Sequence, residues 1–235
     1  MKRIIICFIL ISICFAGCKK VEVKQKRNPY GLAIVSDINV YKKQVAEEPK
    51  MELINLGKYI KDVRLDIRYA TNNNFTNQII YNLPRAFARK PVAQALSKLQ
   101  DSLAFYKLGI KIYDAYSPYE ASLRFFEVYS DTNFVANPRY GSRHNRGCAI
   151  DLTLVELNTG KEIPMPTEFD DLSEKANPNY KNLSDTILKN RAFLFSIMKH
   201  FGFSHYPSEW WHFDYKDWNS YPLMDIRFDE LELLY

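Results

Sequence analysis

The chain has 235 residues, 47% of them hydrophobic and 25% charged, with a net charge of +5. Those proportions exclude a wholly disordered, collagen-like or coiled-coil chain, and so mild a charge without a clustered basic run gives no case for nucleic-acid binding. Eight glycines against 15 Phe and 16 Tyr point to an aromatic-rich core.

Residues 1–17 read as a signal peptide. Lys2 and Arg3 form a basic start, Ile4 to Phe15 is apolar, and Ala16-Gly17 precede Cys18. An apolar run of about 12 residues is too short to span a bilayer, which needs about 20. The small-small-Cys ending is similar to a bacterial lipoprotein signal, with Cys18 as the lipidated first residue. An ordinary secretory signal with a chance Cys is the competing reading. Cys7 and Cys14 leave with the signal, so Cys148 is alone, and a domain without a disulfide must be held by its core. Residues 18–50 are polar and lysine-rich and read as a tether. The globular domain is expected over 51–235, as one unit without repeats.

Val63 to Tyr69 alternates apolar and polar residues, which is strand periodicity. The Asn-rich stretch 71–76 reads as a loop. Pro91 to Leu108 carries Val92, Leu96, Leu99 and Leu103 at helical spacing, between a Pro suited to a first turn and Gly109. A strand over 110–116 is expected next, then a helix from Pro118 to Tyr129 and a strand over 148–154. A helix from Thr186 to Phe201 closes on Gly202, and a strand covers 210–215. Alternating elements without a Gly-rich phosphate loop favour an α+β fold: a small, mostly antiparallel sheet with flanking helices.

The chemistry concentrates in Ser142-Arg143-His144-Asn145-Arg146-Gly147-Cys148-Ala149-Ile150-Asp151 and Glu209-Trp210-Trp211-His212. A catalytic zinc site uses three N or O ligands and keeps a position open. His144, Asp151 and His212 supply two imidazoles and a carboxylate, and Glu209 stands beside them as a general base. The same histidines also suit hydrogen-bonded structural roles. His200 and His205 belong there, because neither has a carboxylate at ligand spacing. Cys148 is a rival ligand, but it sits in an apolar run and reads as a small packing residue. Trp210 and Trp211 read as core or pocket wall.

These segments resemble the D-alanyl-D-alanine dipeptidases, zinc peptidases that include the vancomycin-resistance dipeptidases. The resemblance spans roughly residues 50–230. It is carried by Arg68-Tyr69-Ala70-Thr71 with Asn74-Phe75, by Asp114-Ala115-Tyr116 and by the 142–151 run. Leu152-Thr153-Leu154, Pro164-Met165 with Phe169-Asp170, and 209–212 complete it. It implies the small α+β fold shared by zinc D,D-peptidases and hedgehog signalling domains, with one zinc per chain on His144, Asp151 and His212. Glu209 would be the base, and Ser142 and Asp170 would hold the dipeptide, Asp170 near its ammonium group. The expected function is hydrolysis of D-Ala-D-Ala in the bacterial envelope by a lipid-anchored, periplasmic domain whose partners are the dipeptide and the membrane. The alternatives are a D,D- or L,D-carboxypeptidase acting on wall stem peptides, which Asp170 argues against, and a catalytically silent zinc-binding module.

One position departs from the family pattern. Asp114-Ala115-Tyr116-Ser117-Pro118 has Ser117 where the family has Arg. The Arg would stabilise the oxyanion of the tetrahedral intermediate, and losing such a donor costs about 10²–10³ in kcat. A slow enzyme is expected, unless Arg124 or Arg143 supplies the cation. Arg124 also reads as a solvated helix charge.

Overall fold

The computed structural model describes residues 28–235, and the expected signal peptide and Cys18 lie outside the described residues. The described chain opens with a short strand β1 (Ile34–Val35) and helix α1 (Ile38–Glu47). The side chain of Asp37 caps α1 by accepting from the backbone N–H groups of Asn39 and Val40. The tether expected through residue 50 is therefore too long. Ile38, Tyr41 and Val45 recur at three- and four-residue spacing and face the core, with Tyr41 fully buried. The Tyr41 hydroxyl accepts a hydrogen bond from Leu53 N at 2.7 Å, which ties α1 to the following strand.

Then come β2 (Leu53–Asn55), α2 (Leu56–Tyr59), β3 (Arg64–Leu65), β4 (Phe87–Arg89) and α3 (Lys90–Ala104). The strand expected over 63–69 shrinks to two residues, because the chain turns into a 3₁₀ segment at Arg68–Ala70 that buries Tyr69. Helix α3 has Pro91 in its first turn and buries Val92, Leu96, Leu99 and Leu103 along one stripe. The remaining elements are β5 (Leu108–Asp114), α4 (Tyr119–Val128), β6 (Ala149–Glu156), α5 (Asp185–His200), β7 (Phe203–His205), β8 (His212–Tyr215), β9 (Leu223–Met224) and α6 (Phe228–Glu232).

The central sheet runs β3-β5-β6-β8-β7. Only β3 and β5 pair in parallel; β5–β6, β6–β8 and β7–β8 are antiparallel. The α+β architecture with a small, mostly antiparallel sheet is thus present. Small pairs β1–β9 and β2–β4 flank it. Residues 149–155 of β6 are buried throughout, so this strand lies at the centre with both faces covered. Helix α3 packs beside β4 and β5, and α5 against β7.

Register decides what the sheet presents at one end. Ile112 pairs with Leu152, but Asp114 pairs with Asp151, so β5 carries one extra residue there. This bulge turns Asp114 to the face of Asp151, where a regular ladder would set it opposite Ile150. Across the next pair, Asp151 faces His212. Asp114, Asp151 and His212 therefore stand in a row across three adjacent strands. Among the described residues, no helix is long and apolar enough to cross a membrane.

Candidate functional site

His144 reaches this row from a 3₁₀ turn, His144–Arg146, that ends at Gly147 with φ of 70°. That backbone sense favours glycine, and a Cβ there would stand 2.7 Å from Leu53 Cδ2. Asn145 is fully buried under the turn; its amide donates to Ser117 O at 3.0 Å and its side-chain oxygen accepts from Ser142 N at 2.8 Å. The turn returns the chain directly into β6, so His144 and Asp151 are seven positions apart in sequence and 3.5 Å apart in space.

The ligand atoms of His144, Asp151 and His212 all lie within 4.8 Å of one another. His144 Nε2 is 3.1 Å from His212 Nδ1, and Asp151 Oδ1 is 3.0 Å from His212 Nδ1 and 3.5 Å from His144 Nε2. The outward nitrogens are engaged elsewhere. His144 Nδ1 lies 2.6 Å from Ala115 O, and His212 Nε2 lies 3.1 Å from Asp214 Oδ1. With protons on those outer atoms alone, as a bound cation would require, both inward nitrogens present lone pairs to a common point. Asp151 Oδ1 is buried there and accepts no hydrogen bond. Two lone pairs and an orphaned carboxylate oxygen converging in a buried space fit a divalent cation with N and O ligands, zinc in particular.

The electrostatics agree. Burial disfavours a charged carboxylate at Asp151, but His144 and His212 outweigh it and hold its pKa below the ordinary range. Burial also disfavours charging the imidazoles, yet Asp151 with Asp114 raises the pKa of His144, and Asp151 with Asp214 raises that of His212. Glu209 stands next to the trio, its Oε2 3.8 Å from His212 Nδ1. Burial pushes the pKa of Glu209 up to about 8, with His212 pulling the other way.

These four groups line a cavity of about 710 Å³, whose walls include Tyr69, Phe75, Phe125 and Trp211. Asp170 lines it too. Tyr69 Oη donates to Asp170 Oδ1 at 3.0 Å and Phe75 N to Oδ2 at 3.3 Å. Burial lifts the Asp170 pKa to about 7; these hydrogen bonds lower it only in part, and Asp151 adds to the rise. Ser142 also borders the cavity, but its hydroxyl already accepts from Asn145 N at 3.1 Å.

Ser117 is buried at the cavity wall. Its Oγ lies 3.1 Å from Asp114 Oδ2 and in close contact with Tyr81 Oη, which lies 2.8 Å from Asp114 Oδ1, so the two hydroxyls and the carboxylate form a closed triangle. Neither suggested substitute cation stands free for an oxyanion. Arg124 does not border the cavity and lies 3.5 Å from Gln78 Oε1. Arg143 borders it but is hydrogen-bonded to Asp214.

His205 stacks on Phe195 and His200 packs on Phe201, both away from the cavity. Cys148 is buried outside the ligand cluster, its Sγ 3.6 Å from Arg146 O, and burial pushes its thiol pKa up to about 12. Trp211 forms cavity wall, while Trp210 donates from Nε1 to Thr167 Oγ1 at 2.9 Å. The sequence reading missed Asp214, Tyr69 and the Ala115 carbonyl, which orient His212, Asp170 and His144. Asp214 carried a local signal, at two residues from His212 on one strand face, while Tyr69 and Ala115 lay inside segments that carry the resemblance without being marked as orienting groups.

A family model described as D-Ala-D-Ala dipeptidase matches residues 49–230. A D-alanyl-D-alanine dipeptidase of Escherichia coli (strain K12) is 33% identical over 177 residues, covering 75% of this chain and 91% of that protein. Another, from Enterococcus faecium, is 32% identical over 182 residues, covering 69% and 90%. Among solved structures, a vancomycin-resistance D,D-pentapeptidase VanY in complex with zinc is similar at a TM-score of 0.38 and 15% identity, over 57% of this chain and 75% of that one.

Proposed function

The chain belongs to the D-Ala-D-Ala dipeptidase family, and we propose that it hydrolyses the dipeptide D-Ala-D-Ala with one zinc ion held by His144, Asp151 and His212. The observation that carries this reading is the convergence of three ligand atoms within 4.8 Å in a cavity that also holds Glu209 and Asp170. Zinc, when bound, supplies a Lewis acid that polarises the peptide carbonyl and a positive charge that lowers the proton affinity of water and of nearby carboxylates.

The protein's own groups do the rest. Asp170, ionised against the substrate's ammonium group, fixes the amino end of the dipeptide. A longer peptide has an uncharged amide at that point and leaves the buried carboxylate without its partner, which disfavours carboxypeptidase action. Glu209 takes a proton from the attacking water on its carboxylate. It returns that proton to the leaving nitrogen, so the C–N bond breaks to give two neutral-sum alanine products and the base is regenerated. Ser117 offers the developing oxyanion at best an uncharged donor, and its hydroxyl is spent on Asp114 and Tyr81. Turnover is therefore slow.

Glu209→Gln tests the assignment. The variant should keep a full equivalent of zinc while kcat for D-Ala-D-Ala falls by about 10²–10⁴. Zinc loss in step with activity would make Glu209 a ligand and break this mechanism. Anchoring through lipid on Cys18, with the domain in the bacterial envelope, is supported by the Ala16-Gly17-Cys18 ending after an apolar run. Fatty-acid labelling abolished by Cys18→Ser is its expected result; an unlabelled mature protein would refute it.

A further inference from the structure

Side chains two apart on a strand share a face, so the register that puts His212 beside Asp151 also puts Asp214 next to His212 on β8. Asp214 is buried and divides its two oxygens between two partners. Oδ1 faces His212 Nε2 at 3.1 Å, and Oδ2 accepts from Arg143 Nη1. Arg143 immediately precedes His144, and its guanidinium carbon lies 4.7 Å from the Trp218 ring centre and 5.5 Å from that of Tyr206. The guanidinium is thus held by two rings and a carboxylate, and the carboxylate by a guanidinium and an imidazole.

We infer that Asp214, braced by Arg143, is a positioning residue for the metal centre: it fixes His212 with its proton on Nε2 and aims Nδ1 at the ion. The inference rests on the metal site proposed above. An imidazole can turn about its ring bond and can carry its proton on either nitrogen. A carboxylate fixed on one side removes both freedoms and makes the opposite nitrogen a better donor, the role outer partners play at histidine–metal sites. His144 is held differently: a main-chain carbonyl, Ala115 O, lies 2.6 Å from its Nδ1, with Asp114 Oδ2 further off at 3.4 Å. Arg143 stops the Asp214 carboxylate from turning away, since its Nη1 holds the second oxygen and the Trp218 and Tyr206 rings beside its guanidinium limit its own movement.

The test is metal affinity rather than turnover. The whole chain is stripped of metal and titrated with cobalt(II), following the visible spectrum, and with zinc against a chelator. Asp214→Ala should weaken both metals by about 10–100-fold and change the cobalt spectrum. Asp214→Asn keeps an acceptor for His212 Nε2–H but loses the charge, and should fall between. Arg143→Ala should also fall between, and Arg143→Lys should recover part of the loss. If Asp214→Ala does not fold, Asp214→Asn decides. Wild-type affinity and spectrum in the folded Asp214 variants would overturn the inference and leave Asp214–Arg143 as a salt bridge joining two segments. His144→Ala is the control: if it too keeps the metal, the metal-site reading itself fails, whereas loss there with retention in the Asp214 variants sinks only the positioning role.

Discussion

Replacing Asp170 by Asn should make the protein more stable and a much worse dipeptidase, and the two effects should have different pH dependences. The substitution is nearly isosteric and the backbone tolerates it. Asp170 sits at φ of 63°, where Asn is as acceptable as Asp and a branched residue is not. Burial lifts the carboxyl pKa from 3.8 to about 7. At about 1.4 kcal/mol per pKa unit, ionising it in the substrate-free protein costs up to about 4 kcal/mol, and nearer 2 kcal/mol once water in the cavity is allowed for. Below about pH 4 the group is protonated in both folded and unfolded chains, and it costs nothing. Between about pH 4 and 7 the unfolded chain ionises first, so this group's effect on stability worsens as pH rises and is complete above 7. Asp170→Asn should therefore melt higher than the wild type at pH 8 and level with it near pH 4. An ammonium beside the carboxylate repays the same cost on binding, so kcat/KM for D-Ala-D-Ala should fall by about 10²-fold at pH 8. The loss should fall chiefly on KM, because the contact exists before the transition state. The assays are thermal unfolding at the two pH values and initial rates at pH 8. A variant that melts lower at pH 8 would show the carboxylate to be structural. An unchanged kcat/KM would show that no ammonium meets it.

Three further outcomes are expected. The carboxylates around His144 and His212 leave protons on the metal-free cluster near neutrality, and an incoming ion must displace them, so zinc affinity should rise by about ten- to a hundred-fold per pH unit from pH 6 to 8. Calorimetry in two buffers of different ionisation enthalpy counts the released protons, and a pH-independent affinity would contradict the proposed ligand set. Ser117→Arg should raise kcat by roughly tenfold or more by restoring a charged donor, with KM moving less; an unchanged or lower kcat would mean that the oxyanion is already served. Tyr41→Ala should destabilise the fold by about 3–5 kcal/mol, read as a lower melting temperature, because it empties a buried ring site and strands Leu53 N. No change would return residues 38–47 to the status of a tether.

The sequence was informative where chemistry is local and silent where geometry is made by pairing. Helices α3 and α5 were legible because apolar residues recur at helical spacing over four turns, and β5, β6 and β8 because an apolar residue returns at every second position, as at Ile110/Ile112, Ile150/Leu152/Leu154 and Phe213/Tyr215. Helix α1 was not, since Tyr41 is its one deeply buried residue among Lys, Gln and Asn, and the composition reads as solvated chain. Strands β1, β2, β4 and β9 are two or three residues long, which is less than one repeat of a strand pattern.

The site divides in the same way. His144, Asp151, Glu209 and His212 could be named from residue type and spacing, because a Gly-closed turn before a strand and a carboxylate three residues before a histidine are local features. What orients them is not local. Asp114 joins the row only through a one-residue bulge in β5, and Asp214 becomes a partner of His212 only because β8 begins at His212 and pairs antiparallel with β6. Segments sixty residues apart thus meet at one sheet end because Asp151 and His212 occupy paired positions on β6 and β8. Shifting that register by one residue would turn His212 to the opposite face and take Asp214 with it. The ligand and its brace are therefore fixed by a single structural choice, and a substitution that loosens the β6–β8 pairing should cost metal affinity before it costs the fold.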